Sequence, residues 1–136
     1  LIKKNALEQK VLLKGKILPS ELPNITASAL IGISIFYFFC LSNYLSLSNR
    51  FFFFFQSGLP QLCSDYPSYR EINEIYEIAV LINDHSPINI AGLLNNLIEN
   101  EVLYKKLAEN CYAASLNLNW ENEENDLLVF YQKILK

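Results

Sequence analysis

The amino-acid sequence predicts an α/β protein in which helices flank a parallel sheet and the C-terminal part is helical. Two short apolar runs, ALIGISI at 29–35 and IAVLI at 78–82, have the unbroken hydrophobicity of strands that are buried on both faces. Segments with helical signals lie between and after these runs. Strands that alternate with helices in this way pair in parallel through right-handed crossovers.

The first elements are predicted from local signals. Residues 11–13 (VLL), followed by Lys14 and Gly15, indicate a short strand that ends in a turn. Ser20 is the predicted N-cap of a short helix. Three apolar residues recur at helical spacing after it: Leu22, Ile25 and Ala29. This helix is expected to lead into the strand at 29–35.

A phenylalanine-rich helix is predicted over 46–57, after a loop. Serine and asparagine residues lie at its start, and Gly58 and Pro60 follow it as the usual stop signals. The five consecutive phenylalanines at 51–55 favour a strand, so the local preference opposes this helix. Residues 60–63 can begin a further strand.

Helices surround the strand at 78–82 in the second half of the chain. Asp65 is the predicted N-cap of the first helix. Ser86 with Pro87 marks the start of the second, and Asn100 marks the start of the third. Each of these helices carries an apolar stripe at helical spacing, as expected for a helix that packs on a sheet.

A closing helix is predicted over 119–135. Lys133 and Lys136 lie at its end, and acidic residues lie in its first turns, so both ends complement the helix dipole. The acidic residues are Glu121, Glu123, Glu124 and Asp126. They are interpreted as a solvated helix start rather than as an acid/base pair or metal ligands. Trp120 is expected to lock this helix onto the domain, and it could stack on a sugar only with an open face.

Composition and charge exclude several classes of protein. Four glycines and five prolines are too few for a collagen-like or low-complexity chain. A net charge of −3 argues against a non-specific nucleic-acid binder, which needs a basic surface. Cys40, Cys63 and Cys111 lack CxxC spacing, which indicates buried thiols rather than a zinc site or a disulfide framework. No metal site and no cofactor are expected.

Five motifs in order resemble one enzyme family. The segment SLSNRFFFFFQSGLP at 46–60 resembles S-L-P-N-K-x-F-E-Y-x-x-A-G-x-P, from the C-terminal, nucleotide-sugar-binding domain of GT-B fold glycosyltransferases of family 4. VLLKGKILPSELPNITASALIGIS is similar to the preceding part of that domain, and LCSDYPSYREINEIYEIAVLI to the part that follows. A helix pair and then LNWENEENDLLVFYQKIL are similar to the closing helices, of which the last opens with Trp-Glu. The likeness covers essentially all 136 residues.

The resemblance implies that residues 1–136 belong to the second of two Rossmann-like domains that face each other across a cleft. The first strand–helix unit of this domain and the whole N-terminal domain would precede Leu1, so the chain alone is expected to be inactive. The implied activity is that of a hexosyltransferase of polysaccharide biosynthesis. It would transfer a sugar from a nucleotide-diphosphate-sugar donor, its substrate, to a glycan or lipid-linked acceptor. The expected location is the cytoplasm, with peripheral association at the inner face of the membrane as a variant.

The expected donor site lies at the carboxyl ends of the parallel strands, where ligands bind in such sheets. The loop at 36–48 follows one of these strands and leads into the phenylalanine-rich helix. A helix that begins there directs free N–H groups and positive dipole at a diphosphate. By the resemblance, the donor-binding residues are Ser46, Ser48, Asn49, Arg50 and Phe53. No catalytic residue is identified.

Phe53 departs from the family pattern. The family has a glutamate at this position, five residues before the glycine, and its carboxylate accepts hydrogen bonds from the ribose hydroxyls of the donor. A phenyl ring cannot accept them, and unmade hydrogen bonds of this kind cost about 1–3 kcal/mol. The replacement therefore predicts weak donor binding, and it leaves open a catalytically inactive glycosyltransferase-like subunit.

A single-pass membrane protein is a further alternative. Arg50 is the only charged residue between Glu21 and Asp65, and an uncharged stretch with a span near 27–47 is long enough for a membrane helix. Serine and asparagine residues within the span, and the lack of a flanking Lys/Arg cluster, argue against it. His85, the only histidine, could act as a general base, although a surface loop position is expected and the spacing identifies no nucleophile or orienting partner.

Overall fold

Three parallel strands form the sheet in the computed structural model, which describes residues 1–135. The strands are β1 (Gly32–Ser34), β2 (Gln61–Ser64) and β3 (Ala79–Ile82), and β2 lies between the other two. Their register aligns the strands residue by residue from Gly32, Gln61 and Ala79 onward. The three carboxyl ends therefore meet at one edge of the sheet, here called the carboxyl edge.

Seven α-helices within the described residues connect and follow the strands. They are α1 Leu22–Ala27, α2 Leu41–Leu45, α3 Asn49–Gln56, α4 Pro67–Tyr76, α5 Pro87–Glu99, α6 Glu101–Asn117 and α7 Trp120–Ile134. This order confirms the predicted α/β class with a parallel sheet and a helical C-terminus. Lys136, predicted at the end of the closing helix, lies outside the described residues.

The alternative membrane span at 27–47 contains β1, an irregular loop and the short α2. Within residues 1–135, no helix combines the length and the apolar character that crossing a membrane requires.

The run of phenylalanines forms helix α3, as the signals on both sides of it predict. Ser48 is the N-cap, and its Oγ accepts a hydrogen bond from the Phe51 amide at 3.3 Å. Gly58 has a φ of +68°, the left-handed conformation that ends a helix. Phe51 and Phe55, one turn apart, are fully buried. Burial of this face outweighs the strand propensity of the run.

The hydrophobic core lies between the sheet, α3, α4 and α6. Phe51 and Phe55 pack there with Tyr69 of α4, and the rings of Phe51 and Tyr69 meet edge to face with centroids 5.0 Å apart. Helix α6 contributes Cys111 and Ala114 to the same cluster. The core thus fixes α3 against both the sheet and the C-terminal helices.

Helix α3 lies directly on strand β1 at Gly32. A Cβ atom added to Gly32 would lie 2.5 Å from Cγ of Phe54, far inside van der Waals contact. A glycine within a buried strand marks such a close approach of a neighbouring element. The side chain of Phe54 therefore occupies the space that any larger residue at position 32 would need.

Four sequence predictions about element boundaries are wrong. Residues 11–13 form no strand and are exposed. In the described residues β1 pairs only with β2, so the sheet offers residues 11–13 no paired strand. Ser20 lies in a 3-10 turn, Pro19–Glu21, and Glu21 is the residue before α1. The loop at 36–48 contains α2, and the phenylalanine-rich helix begins at Asn49 rather than near 46.

Asp65 is the fourth case. Tyr66, not Asp65, precedes α4 as its N-cap residue. The Asp65 carboxylate instead accepts a hydrogen bond from Arg70 Nε at 2.9 Å. An ion pair with a residue of the first helical turn has replaced the expected cap.

We predict opposite effects for two glycine-to-alanine substitutions. Gly32→Ala should lower the free energy of unfolding by about 1–3 kcal/mol, because the new methyl group overlaps Phe54. Gly92→Ala, in α5, should raise it by about 0.5–1 kcal/mol, because a Cβ there meets no atom within 4 Å and alanine favours helix. Urea denaturation followed by circular dichroism measures both. Equal stability of the two variants would contradict the close approach at Gly32.

Thiol reactivity should distinguish the three cysteines. Burial raises the pKa of the Cys63 and Cys111 thiols to about 12, with a smaller contribution from Asp65 at Cys63. Cys40 is exposed, so the prediction of buried thiols is confirmed for two of the three. Because the thiolate is the reactive form, we expect an aromatic disulfide reagent at pH 8 to modify one thiol quickly. The other two should react only after unfolding in urea.

The control for this experiment is Cys40→Ser, which should remove the fast phase and leave the slow one.

The two raised pKa values also predict how stability depends on pH, because both belong to acids that stay neutral in the folded state. The unfolded chain loses these protons from about pH 9, so the stability they contribute falls as the pH rises above that value. In the reagent experiment, two fast-reacting thiols in the folded protein would contradict the burial of Cys63 and Cys111.

Candidate functional site

The chain leaves β1 through Phe36, whose backbone is fixed at the carboxyl edge by three hydrogen bonds. The Phe36 amide donates to Ser64 Oγ at 2.9 Å, and Ser64 Oγ donates to the Phe36 carbonyl at 3.0 Å. The Tyr66 hydroxyl donates to the same carbonyl at 2.7 Å. Ser64 is the last residue of β2. The loop at 36–48 is therefore held to the neighbouring strand at its first residues.

His85, in the loop after β3, completes this network. Its Nε2 lies 3.3 Å from Ser64 Oγ, and the ring of Tyr37 packs edge-on against the imidazole with centroids 5.3 Å apart. The Ser64 hydroxyl has a single hydrogen, which can go to the Phe36 carbonyl or to His85 Nε2, so the donor in the Ser64–His85 contact depends on the tautomer of the imidazole. With either tautomer, the contact ties the loop after β3 to the end of β2.

Helix α3 directs its N-terminus at the same region. The Ser48 amide donates to the hydroxyl of Tyr69 at 3.1 Å, which ties the start of α3 to α4. A cavity of about 120 Å³ opens beside this contact. It is lined by Phe36, Asn43, Ser46, Ser48 and Tyr69. This cavity, called the serine cavity below, has room for a phosphate-sized group.

The five predicted donor-binding residues do not share one cavity. Ser46 and Ser48 line the serine cavity. Asn49 and Phe53 line a second one of about 180 Å³, here called the Phe53 cavity. Its other lining residues are Phe52 and Gln56. The structure thus brings the two serines together and separates them from Phe53.

Arg50 lines neither cavity and lies over Phe36. Its guanidinium carbon is 4.9 Å from the centre of the Phe36 ring, a cation–π geometry. Phe36 is itself a wall of the serine cavity. Arg50 forms no ion pair with a carboxylate among residues 1–135. A permanent positive charge is therefore held next to the serine cavity without a counter-ion from this part of the chain.

The carboxylates that follow the strands are already engaged. Asp65 is paired with Arg70, as described above. Asp84 accepts hydrogen bonds from the Ser86 amide and the Ser86 hydroxyl, both at 2.9 Å, and these bonds hold the pKa of its carboxyl group below the usual value. In the first turn of α3, the amides of Asn49 and Arg50 have no carbonyl partner within the helix, whereas the Phe51 amide donates to the carbonyl and the hydroxyl of Ser48. The balance of donors and charge at this edge favours an anion.

Sequence reasoning missed several residues of this region. Ser64 ends β2, and that position alone could have identified it. Ser34, the last residue of β1, is fully buried, and its hydroxyl has no hydrogen-bond partner in residues 1–135. The contact of Tyr69 with Ser48, 21 residues away, depends on how α3 and α4 pack and leaves no signal in the spacing.

Comparisons of the chain with protein-family models, with curated proteins and with solved structures find no match. The resemblance to family 4 glycosyltransferases therefore rests on the five sequence motifs. It stays a prediction at this point.

We predict that Tyr69→Phe lowers the free energy of unfolding by about 1 kcal/mol or more, because the Ser48 amide loses its acceptor. The matched control is Tyr76→Phe in the same helix, since the Tyr76 hydroxyl has no hydrogen bond within residues 1–135. Its effect should stay within about 0.5 kcal/mol. Urea denaturation measures both variants. Equal losses would show that the hydroxyl of Tyr69 does not hold the start of α3.

Proposed function

We propose that this chain is the donor-binding part of a hexosyltransferase that uses a nucleotide-diphosphate sugar. The observation that carries the proposal is the carboxyl edge itself, where the N-terminus of α3, the serine cavity and Arg50 lie together. Diphosphates bind at such helix N-termini beyond parallel strands, because free amides and the helix dipole favour negative charge. The resemblance of residues 46–60 to the family pattern supports the same assignment.

The proposed role of each group follows from its position. The backbone amides of Asn49 and Arg50 and the Ser46 hydroxyl bind the diphosphate, and the Arg50 guanidinium, which lies over the Phe36 ring, adds a positive charge. When the bond between the sugar and the diphosphate breaks, negative charge grows on the departing phosphate oxygen. Donors that are already in place stabilise that charge without reorganising. The acceptor would be a glycan or a lipid-linked saccharide.

Phe53 weakens this proposal at one point. Its ring lines the cavity next to Asn49, where the family would place a carboxylate for the ribose. Neither the ring nor Phe52 beside it can accept a hydrogen bond. This favours a second candidate, a glycosyltransferase-like subunit that binds donor poorly and does not catalyse transfer.

A further domain of the same protein would complete the site. Small-molecule sites usually enclose about 300–1,000 Å³, and the serine cavity of about 120 Å³ is too small to enclose a nucleotide sugar. Helix α7 also presents exposed apolar side chains, as surfaces that another domain covers do. They are Leu127, Leu128, Val129, Phe130 and Tyr131. The proposed location is the cytoplasm, at the inner face of the membrane when the acceptor is lipid-linked.

We predict that Phe53→Glu strengthens nucleoside-diphosphate binding. A carboxylate in the Phe53 cavity could accept hydrogen bonds from the ribose hydroxyl groups, which is worth about 1–3 kcal/mol or about fivefold to 150-fold in affinity. Isothermal calorimetry with UDP and with GDP measures the gain. The matched control is Gln56→Glu, which adds the same charge to the same cavity one turn further along α3. It should give no gain.

The possible results separate the two candidates. Tighter binding by Phe53→Glu supports the donor site. Binding by the original chain that is equal to or tighter than that of the variant would refute the role assigned to position 53. If neither form binds UDP or GDP, the donor-site proposal fails and the inactive subunit remains.

A further inference from the structure

A further cavity beside α3 lies away from the serine cavity, where α3, α4 and the start of α7 meet. Its volume is about 500 Å³, within the range of small-molecule sites. It is lined by Phe52, Gln56, Ile72, Leu118, Asn119, Trp120 and Glu123. We call it the Trp120 pocket. It shares Phe52 and Gln56 with the Phe53 cavity and no residue with the serine cavity.

An aromatic wall is the first feature of this pocket. The expectation that Trp120 locks α7 onto the domain is wrong, because 63% of its surface is exposed. Helix α7 begins at Trp120 with Asn119 as N-cap, and this cap holds the indole at the pocket without burying it. The open face that stacking on a sugar requires is therefore present. The C–H groups of a pyranose carry partial positive charge and pack well on the negative face of an indole.

Hydrogen-bond acceptors are the second feature. Glu123 forms no ion pair within residues 1–135, so its carboxylate is open to a ligand. Gln56 donates its amide hydrogen to the Leu118 carbonyl at 3.4 Å, which leaves its side-chain oxygen as an acceptor. The Asn119 side chain is already committed to the α6–α7 junction. The rim thus offers acceptors and a negative charge over an apolar floor.

We propose that the Trp120 pocket is a carbohydrate-binding site for a neutral pyranose. A pyranose has an apolar C–H face for Trp120 and hydroxyl donors for Glu123 and Gln56. The charge of Glu123 disfavours phosphates and nucleotides, so the pocket differs in chemistry from the carboxyl edge. The proposal goes beyond donor binding and does not depend on it. In a sugar-transferring enzyme, such a site would bind a glycan through a sugar unit other than the one that reacts.

Trp120 is the only tryptophan, so its fluorescence reports on the pocket without a label. We expect maltose or cellobiose to change this fluorescence with saturation, and sorbitol, which has no ring, to leave it unchanged. Glu123→Ala should weaken the disaccharide affinity about tenfold, and Glu123→Gln should lie between the two because it keeps an acceptor. The matched control is Glu124→Ala on the same helix, since Glu124 does not line the pocket. It should bind as the original chain does.

Several results would overturn the proposal. They are no saturable change with either disaccharide, an equal response to sorbitol, or an equal loss in Glu123→Ala and Glu124→Ala. Tighter binding of choline than of the disaccharides would identify a cation site instead. Circular dichroism and urea denaturation of each variant separate loss of binding from loss of folding. UDP binding should be unchanged in Glu123→Ala, so failure here is distinguishable from failure of the donor site.

Discussion

Burial of the Phe51 and Phe55 rings is the interaction on which the rest of the structure depends. Full burial of such a ring contributes about 1.5–3 kcal/mol, and both rings lie in the core with no exposed surface. They hold α3 against α6 and the sheet, and the close contact at Gly32 fixes its distance from β1. The start of α3 is then placed at the carboxyl edge. Every candidate site described here is a consequence of where that helix lies.

One helix therefore carries two chemically different surfaces. Its N-terminal turn faces a region with free amides and the charge of Arg50, which suits an anion. Its side at Phe52 and Gln56 faces a pocket with an indole wall and the charge of Glu123, which suits a neutral polyol. Successive residues of a helix point about 100° apart, so five identical side chains in sequence have different environments. Of the five, only Phe51 and Phe55 are fully buried.

Much of the fold could be predicted from local signals, because each signal is contained within a few neighbouring residues of the sequence. Ser48, Ser86, Asn100 and Asn119 are N-caps, and Gly58 ends α3. Nearly all of the apolar run at 78–82 forms β3, whereas only Gly32–Ser34 of the run at 29–35 forms β1. Residues 11–13 have the composition of a strand but no strand beside them to complete a ladder. Apolar content alone does not supply that partner.

The candidate site could be predicted only in part, because its contacts join distant residues. The helix start and the two serines follow from the position of α3 after a parallel strand. The bonds of Ser64 to Phe36 and His85 join residues 28 and 21 positions apart, and they depend on the register of three strands. The separation of Phe53 from Ser46 and Ser48 depends on the rotation of α3 about its axis. A sequence motif records none of these quantities.

The contact between Gly32 and Phe54 also restricts how related sequences can diverge. A larger residue at position 32 is compatible with this packing only if position 54 becomes smaller, so the two positions should vary together. Position 53 is under no such restriction, because its side chain lines an open cavity rather than the core. We expect exchange between glutamate and phenylalanine there to leave the helix in place. The proposed donor site could therefore lose or regain a carboxylate while the fold that presents it stays the same.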